Sequence, residues 1–294
     1  AESDPRDDGI FNWLTPQPID DLTGDGVPEL LFANGGDARA PPFTVRPPGH
    51  LLVIDPVDGA ELARAATPDI QESYMSPLVV TRPDGRWVLV GTGGETAEGS
   101  LWAVPLHAAV ASNTDGAVEL VTARTTKGVM APPSVADLND DGIEDYVVST
   151  FDARIVAVDG ATFAPIWEFS FGRAAESYFS PALVELDGER GVDVFATFTF
   201  GVFPRYTGVY RVALRGRDGE VLWAESRGET ITTSPLGADV TGDGRDEVFA
   251  MAGEFGDAPA GRLLVFEPAT YLVHAAPDQP SVAVQAERRP MLAA

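Results

Sequence analysis

The feature that most constrains this chain is a unit written five times. Each unit opens on a short proline-led run: PQPIDD from Pro16, SPLVVT from Ser76, PPSVAD from Pro132, SPALVE from Ser180 and SPLGAD from Ser234. Loops then start at Asp21, Thr81, Asp137, Glu185 and Asp239, which sets them 60, 56, 48 and 54 residues apart. A second apolar run follows each loop, and then a third: LLVID from Leu51, LWAVP from Leu101, IVAVD from Ile155, YRVAL from Tyr210 or LLVFE from Leu264. Several units turn through Asp-Gly or a similar pair into a fourth run, as in PVDGAELARA, DGATFAPIWEF and RGRDGEVLWAE, with Trp167 and Trp223 packing near its end. Short runs of β-branched and aromatic residues, punctuated by 30 Gly and 24 Pro, are strands and turns. Self-similarity at this period marks a solenoid or a propeller, and four strands per unit is a propeller blade. The chain is therefore expected to be all-β, a five-bladed β-propeller of four-stranded blades. Residues 1–11 read as an acidic N-terminal segment, 12–277 as the propeller and 278–294 as a tail or extra edge strand, with YLVHAAP at 271–277 as the outer strand of the fifth blade.

Three of the five loops are versions of one sentence: DLTGDGVPELLF, DLNDDGIEDYVV and DVTGDGRDEVFA. Calcium takes six to eight oxygen ligands, so a loop that holds it offers an oxygen at nearly every second residue and turns sharply at a glycine. The first loop offers Asp21, Thr23, Asp25, Glu29 and the carbonyl of Val27 around Gly26. The second offers Asp137, Asn139, Asp141, Asp145 and the carbonyl of Ile143 around Gly142. Asp239, Thr241, Asp243, Glu247 and the carbonyl of Arg245 do the same around Gly244. An EF-hand is excluded, because it needs a bidentate Glu at position 12 and flanking helices. Position 12 here is Phe32, Val148 or Ala250, inside a strand-like run. Acidic Gly turns also form without a metal, and it is their recurrence at one repeat position that points to calcium. The loop at Thr81 is shortened and has lost its oxygens, so no ion is expected there. ELDGERGVD keeps Glu185, Asp187, Glu189 and Asp193 but moves the glycine to position 4 and puts Arg190 at position 6, which makes it a candidate fourth site.

A net charge of -25 opposes nucleic acid and anionic membrane as partners, and no apolar run approaches the length of a membrane-spanning helix. Three calcium ions would leave -19. The 20 basic residues are all Arg except Lys127, and the absence of Cys excludes disulfides. AESDPRDDG has no apolar signal core. Calcium loops fill readily where the ion is abundant, which suggests a secreted, cell-surface or periplasmic location.

With their strand context the loops resemble the FG-GAP or VCBS repeats, the calcium-loop blades also found in integrin alpha-subunit propellers and in many secreted bacterial proteins. That resemblance covers roughly residues 12 to 275. It implies calcium in the turns between first and second strands on one face, with ligands meeting the opposite face. VAVDGATFAPIWEF also looks like a PQQ-type repeat, although no quinone site is recognisable and five blades are fewer than quinoprotein dehydrogenases use.

QESYMSP at 71–77 and AESYFSP at 175–181 repeat almost literally ahead of two proline signatures, where the chain enters a blade. Trp13, Glu72, Tyr74, Lys127, Glu176 and Tyr178 are accordingly candidate ligand-binding residues on the face away from the loops, suited to a glycan or protein ligand. Alternatively, the Glu and Tyr side chains tie blades together. Phe203, Arg205 and Tyr206 are expected to be exposed on an insertion at 196–210, with Phe198 and Phe200 in the core. No catalytic set is evident, since His50, His107 and His274 cluster with nothing. A non-catalytic binding or adhesion module is the leading reading. The alternative is a glycosidase or lyase using Glu72 and Glu176 as its carboxylate pair.

Overall fold

The structure, a computed structural model, describes residues 15–35, 41–122, 124, 127–172, 174–202, 205–228, 231–253, 261–268 and 285–290. These fall into two compact units, 1–132 with 150–152, and 133–149 with 153–294. The fold is all-β, with five sheets of the propeller-blade type, two in the first unit and three in the second.

In the first unit one blade is the antiparallel meander β1 Gln17–Pro18, β2 Leu30–Asn34, β3 His50–Ile54 and β4 Glu61–Ala66. The next is β5 Leu78–Arg82, β6 Gly85–Gly91, β7 Leu101–Pro105 and β8 Val118–Val121, with a short helix α1 Leu106–Val110 between its last two strands. The truncated loop at Thr81 is a two-residue hairpin, since Arg82 pairs with Gly85. Strand alternation sends one face of each sheet into a shared core, where Ile19, Leu31, Leu51 and Val53 meet Val88, Val90, Val104 and Leu106. Burying a side chain of this size contributes about 1.5–3 kcal/mol.

The second unit holds β9 Ser134–Ala136, β10 Asp145–Ser149, β11 Arg154–Val158 and β12 Pro165–Ser170 in its first sheet. Its second contains β13 Ala175–Glu176, β14 Ala182–Val184, β15 Asp193–Val202, β16 Arg205–Arg215 and β17 Val221–Arg227. Its third contains β18 Ile231–Thr232, β19 Leu236–Ala238, β20 Glu247–Gly253, β21 Gly261–Glu267 and β22 Gln285–Pro290. Two blades thus carry a fifth strand. The ten-residue β15 pairs with both β13 and β14, and β20 pairs with both β18 and β19. Pro181 and Pro235 lie in the gaps, where a residue without an N–H cannot join the ladder.

The stretch 196–210 is a long β15–β16 hairpin rather than an insertion, and Phe198 and Phe200 are buried as expected. Arg205 is exposed, Tyr206 is half-buried, and Phe203 lies outside the described residues. The place beside β21 expected for 271–277 is taken by β22, which pairs in parallel; 271–277 lies outside the described residues. Both fourth-strand tryptophans reach the neighbouring blade. Trp167 Nε1 donates to Gly216 O at 2.6 Å, and Trp223 stacks on Phe195 with Phe266 edge-on.

Candidate metal loops and a polar cleft

The three predicted calcium loops lie between first and second strands of their blades, β1–β2, β9–β10 and β19–β20, and they fold alike. Asp21 accepts the amides of Gly24 at 2.6 Å, Asp25 at 3.2 Å and Gly26 at 2.8 Å. Asp239 accepts those of Gly242, Asp243 and Gly244 at 2.6, 3.2 and 3.0 Å. Asp137 accepts those of Asp141 at 3.1 Å and Gly142 at 2.9 Å. Gly26, Gly142 and Gly244 have φ of 89, 83 and 88°, the left-handed turn the pattern predicted. The position-5 carboxylates of Asp25, Asp141 and Asp243 cap the amides of Val27, Ile143 and Arg245 at 2.8, 2.8 and 3.0 Å. The Asp21 and Asp239 carboxyls are held low, led by the amide of Gly26 in the first case and that of Gly244 in the second.

Position 9 carries the decisive feature. Glu29, Asp145 and Glu247 are 0, 0 and 3% exposed, and their carboxylates point back into the loop. Glu29 accepts the amides of Leu22 at 2.6 Å and Thr23 at 3.0 Å. Asp145 accepts those of Leu138 and Gly160 at 2.8 and 2.9 Å, and Glu247 that of Val240 and the hydroxyl of Thr241 at 2.9 and 3.1 Å. No Arg or Lys pairs with any of the three among the described residues. Burial raises the Asp145 carboxyl, and the like charges of Asp159 and Asp141 add to it. Glu29 ends up lowered, because the amides of Leu22 and Thr23 outweigh its burial. Each loop thus offers oxygen donors, the class a hard divalent ion takes, but among the described residues three carboxylates converge within one ion's reach only in the fourth loop.

The fourth loop joins β14 to β15. It brings Glu185, Asp187 and Asp193 together with ligand oxygens within 4.8 Å of one another. Glu185 accepts the amide of Gly188 at 2.9 Å, and Asp193 those of Leu186 and Asp187 at 3.1 and 3.3 Å. Burial, then the charges of Asp187 and Glu185, pushes Asp193 up to about 6. Burial likewise raises Glu185.

The ESY segments build two networks of one design. Both serines are fully buried; Ser73 Oγ donates to Gly91 O at 2.9 Å and Ser177 Oγ to Thr197 O at 3.0 Å. Glu72 is 2% exposed, and both its oxygens lie 3.1 Å from Arg46 Nη1, while Tyr74 Oη donates to it at 2.8 Å. Arg46 is held further by Tyr74 Oη at 2.7 Å and Thr96 Oγ1 at 3.1 Å. Glu176 is 1% exposed and accepts Tyr206 Oη at 2.8 Å, and Tyr206 bonds Tyr178 Oη at 2.8 Å. Burial raises both Tyr74 and Tyr206 above the usual phenol range, reinforced by Glu72 in one case and by Tyr178 and Glu176 in the other. Lys127 goes elsewhere, its Nζ bonding Glu95 O and lying 6.0 Å from the Phe151 ring centroid. Trp13 lies outside the described residues.

Beside the first network a cleft of about 340 Å³ is lined by Phe43, Val45, Arg46, Ile70, Glu72 and Glu98, among others. Phe43, Val45 and Ile70 are large apolar side chains that stay exposed there. Phe43 and Ile70 also hold φ of 61 and 60°, which costs a non-Gly residue about 1–3 kcal/mol and is most unusual for a β-branched one. Arg46, in a proline-rich loop, and Thr96 gave no sequence signal. Tyr206 was visible only as part of an aromatic-rich stretch.

No protein-family model matches the chain, and no curated protein matches it. Solved structures show distant similarity to β-propellers. The Dos1 propeller has 9% identity over 84% of this chain and 59% of that chain, with a TM-score of 0.47. Rhamnogalacturonan lyase YesW has 18% identity over 81% and 45%, with a TM-score of 0.48. A europium-containing methanol dehydrogenase has 15% identity over 53% and 24%, with a TM-score of 0.35. The chain thus spans between about a quarter and three fifths of the length of these structures.

Proposed function

We propose that this chain is a calcium-stabilised β-propeller binding module of the FG-GAP or VCBS type, acting at the cell surface, in the periplasm or outside the cell on a glycan or protein ligand. The observation that carries the reading is the position-9 carboxylate of Glu29, Asp145 and Glu247: one per loop, buried, with no protein cation beside it among the described residues. A buried carboxylate is costly unless its charge is compensated, and a bound ion supplies that compensation at all three places. The donors are Asp21, Thr23, Asp25, Glu29 and the Val27 carbonyl, and their counterparts in the other two loops. When bound, calcium supplies charge compensation and cross-links the loop; the protein's own residues shape the turn and present the oxygens.

Binding is favoured over hydrolysis because Glu72 and Glu176 are tied into their own networks. Both Glu72 oxygens accept from Arg46, and a general acid needs a carboxyl free to give up a proton. The exposed apolar side chains beside Arg46 and Tyr74 give a ligand a surface to rest on.

Calcium titration of chelated protein tests the proposal. Three ions are expected, each adding about 2.7 kcal/mol at a hundredfold excess over Kd. Asp141→Ala should remove one ion and leave the other two. No binding heat and no change in Tm with chelator would sink it.

A further inference from the structure

In the three loops just described, the side chains at positions 3 and 5 meet no Arg or Lys among the described residues. In the fourth loop both do. Arg215 Nε lies 3.5 Å from Asp187 Oδ2 and 3.8 Å from Glu189 Oε2, and Arg217 Nη2 lies 3.2 Å from the same Glu189 oxygen. Arg215 is held in place from its other side by Glu220 and by Asp218 at 3.7 Å. Arg245 adds a further positive charge near Gly188, where a Cβ would meet its Nη2 at 3.1 Å.

The register shows why this is a substitution within the repeat. At the end of the third strand, Asp55, Asp159 and Arg215 make the same pair of turn hydrogen bonds. Their amides donate to Ala60, Ala164 and Glu220 at 2.9, 2.8 and 2.8 Å, and their carbonyls accept from Gly59, Phe163 and Gly219, each at 2.8 Å. In the second unit's first two blades the side chain at this place reaches position 3 of its own blade's loop. Asp159 Oδ2 accepts from Asn139 Nδ2 at 3.3 Å, so a carboxylate there meets a neutral amide. In the next blade a guanidinium stands at that place and faces the carboxylate of Asp187. The ligand positions of the first three loops carry three carboxylates each, and those of the fourth carry four, with two guanidinium groups set against them.

We propose that Arg215 is the resident cation of the fourth loop. Its guanidinium sets a fixed positive charge against Asp187 and Glu189, at positions 3 and 5, and it keeps calcium out by engaging Asp187 and by its charge. Glu185, Asp187 and Asp193 stay close enough to chelate once that charge is gone. The inference rests on the calcium reading of the other loops.

The test is a calcium count by calorimetry and native mass spectrometry on chelated wild type, Arg215→Gln and Arg215→Lys. Wild type and Arg215→Lys should take three ions and Arg215→Gln four, and Arg215→Gln combined with Asp193→Asn should return to three. A wild type that takes four, or a folded Arg215→Gln that takes three, overturns the proposal. If Arg215→Gln folds only when calcium is added, the ion has replaced the guanidinium, as expected. If it stays unfolded with calcium present, the proposal fails. A wild type that takes none refutes the calcium reading itself and is thereby told apart from failure at Arg215.

Discussion

Asp193→Asn should stabilise the calcium-free protein, and by an amount that depends on pH. Asp193 is 3% exposed at the start of β15, and both amides it accepts, from Leu186 and Asp187, go to one oxygen, Oδ2. Asparagine keeps an oxygen in that place and removes the charge. Of its charged neighbours, Asp187 and Glu185 raise its carboxyl, while Arg215 pairs with Asp187 rather than with it. Burial pushes its pKa up to about 6 in the fold, from an ordinary 3.8. The folded state therefore binds the proton more tightly, so wild type bears the full cost of ionisation above pH 6 and gains stability as pH falls from 6 towards 4. At 1.36 kcal/mol per pKa unit the cost is about 3 kcal/mol at pH 8 and about 0.5 kcal/mol at pH 4. Urea denaturation of both proteins in chelator at the two pH values reads this directly. The variant should be more stable by about 3 kcal/mol at pH 8, with the gap nearly closed at pH 4. Equal stability at pH 8, or a gap of the same size at pH 4, would refute the reasoning, because the effect would then not be ionisation.

Gly160→Ala should cost about 3 kcal/mol and lose the ion of the second loop, since a Cβ there would stand 1.8 Å from the Glu144 carbonyl and two backbones cannot both yield. Gly142→Ala has open space around it and a φ of 83°, so it should cost only about 1 kcal/mol; thermal melts that reverse the order would overturn this account of the turn. The Tyr74→Ala, Tyr178→Ala double variant, applied to an array of neutral and acidic oligosaccharides with calcium present, should lose at least tenfold in affinity for whichever glycan the wild type retains, with the ion count unchanged, the loss coming from Tyr74, whose hydroxyl holds Arg46 at the cleft. Undiminished affinity would leave the ESY segments a purely structural role.

Much of the blade plan is legible because proline marks it. In every blade a strand starts at the residue after Pro16, Pro77, Pro133, Pro181 or Pro235, because a residue without an N–H sits outside the ladder and the next one can enter it. The third strands fall on LLVID, LWAVP, IVAVD, YRVAL and LLVFE for a different reason: buried on both faces, they read as continuous apolar runs. What escapes the pattern is short or paired at a distance. β13 is two residues, α1 is the single turn LHAAV, and β22 is the charged QAERRP, joined in parallel across residues outside the description. Arg46 meets Glu72 across 26 residues and Tyr206 meets Glu176 across 30, separations that no local spacing encodes. Arg215 was invisible as a partner of Asp187 until the strand register placed it opposite Asp159's position in the preceding blade.

The two ESY segments show what near-identity within a repeat measures. The parts that match are those that fasten the chain to its blade: a buried serine on a strand carbonyl and a buried glutamate beside it. The third partner differs, a guanidinium from another blade at Glu72 and a phenol of the same blade at Glu176. Repetition here therefore follows from a shared backbone requirement, while recognition is to be sought where the copies diverge. Only the first copy has Arg46, and with it the strained Phe43 and Ile70 and the exposed Val45 at the mouth of a cleft. Burying those side chains in the fold would have been favourable by about 1.5–3 kcal/mol each. That they stand exposed, two of them on strained backbone, makes this cleft a more specific place to seek the ligand than the repeated residues themselves.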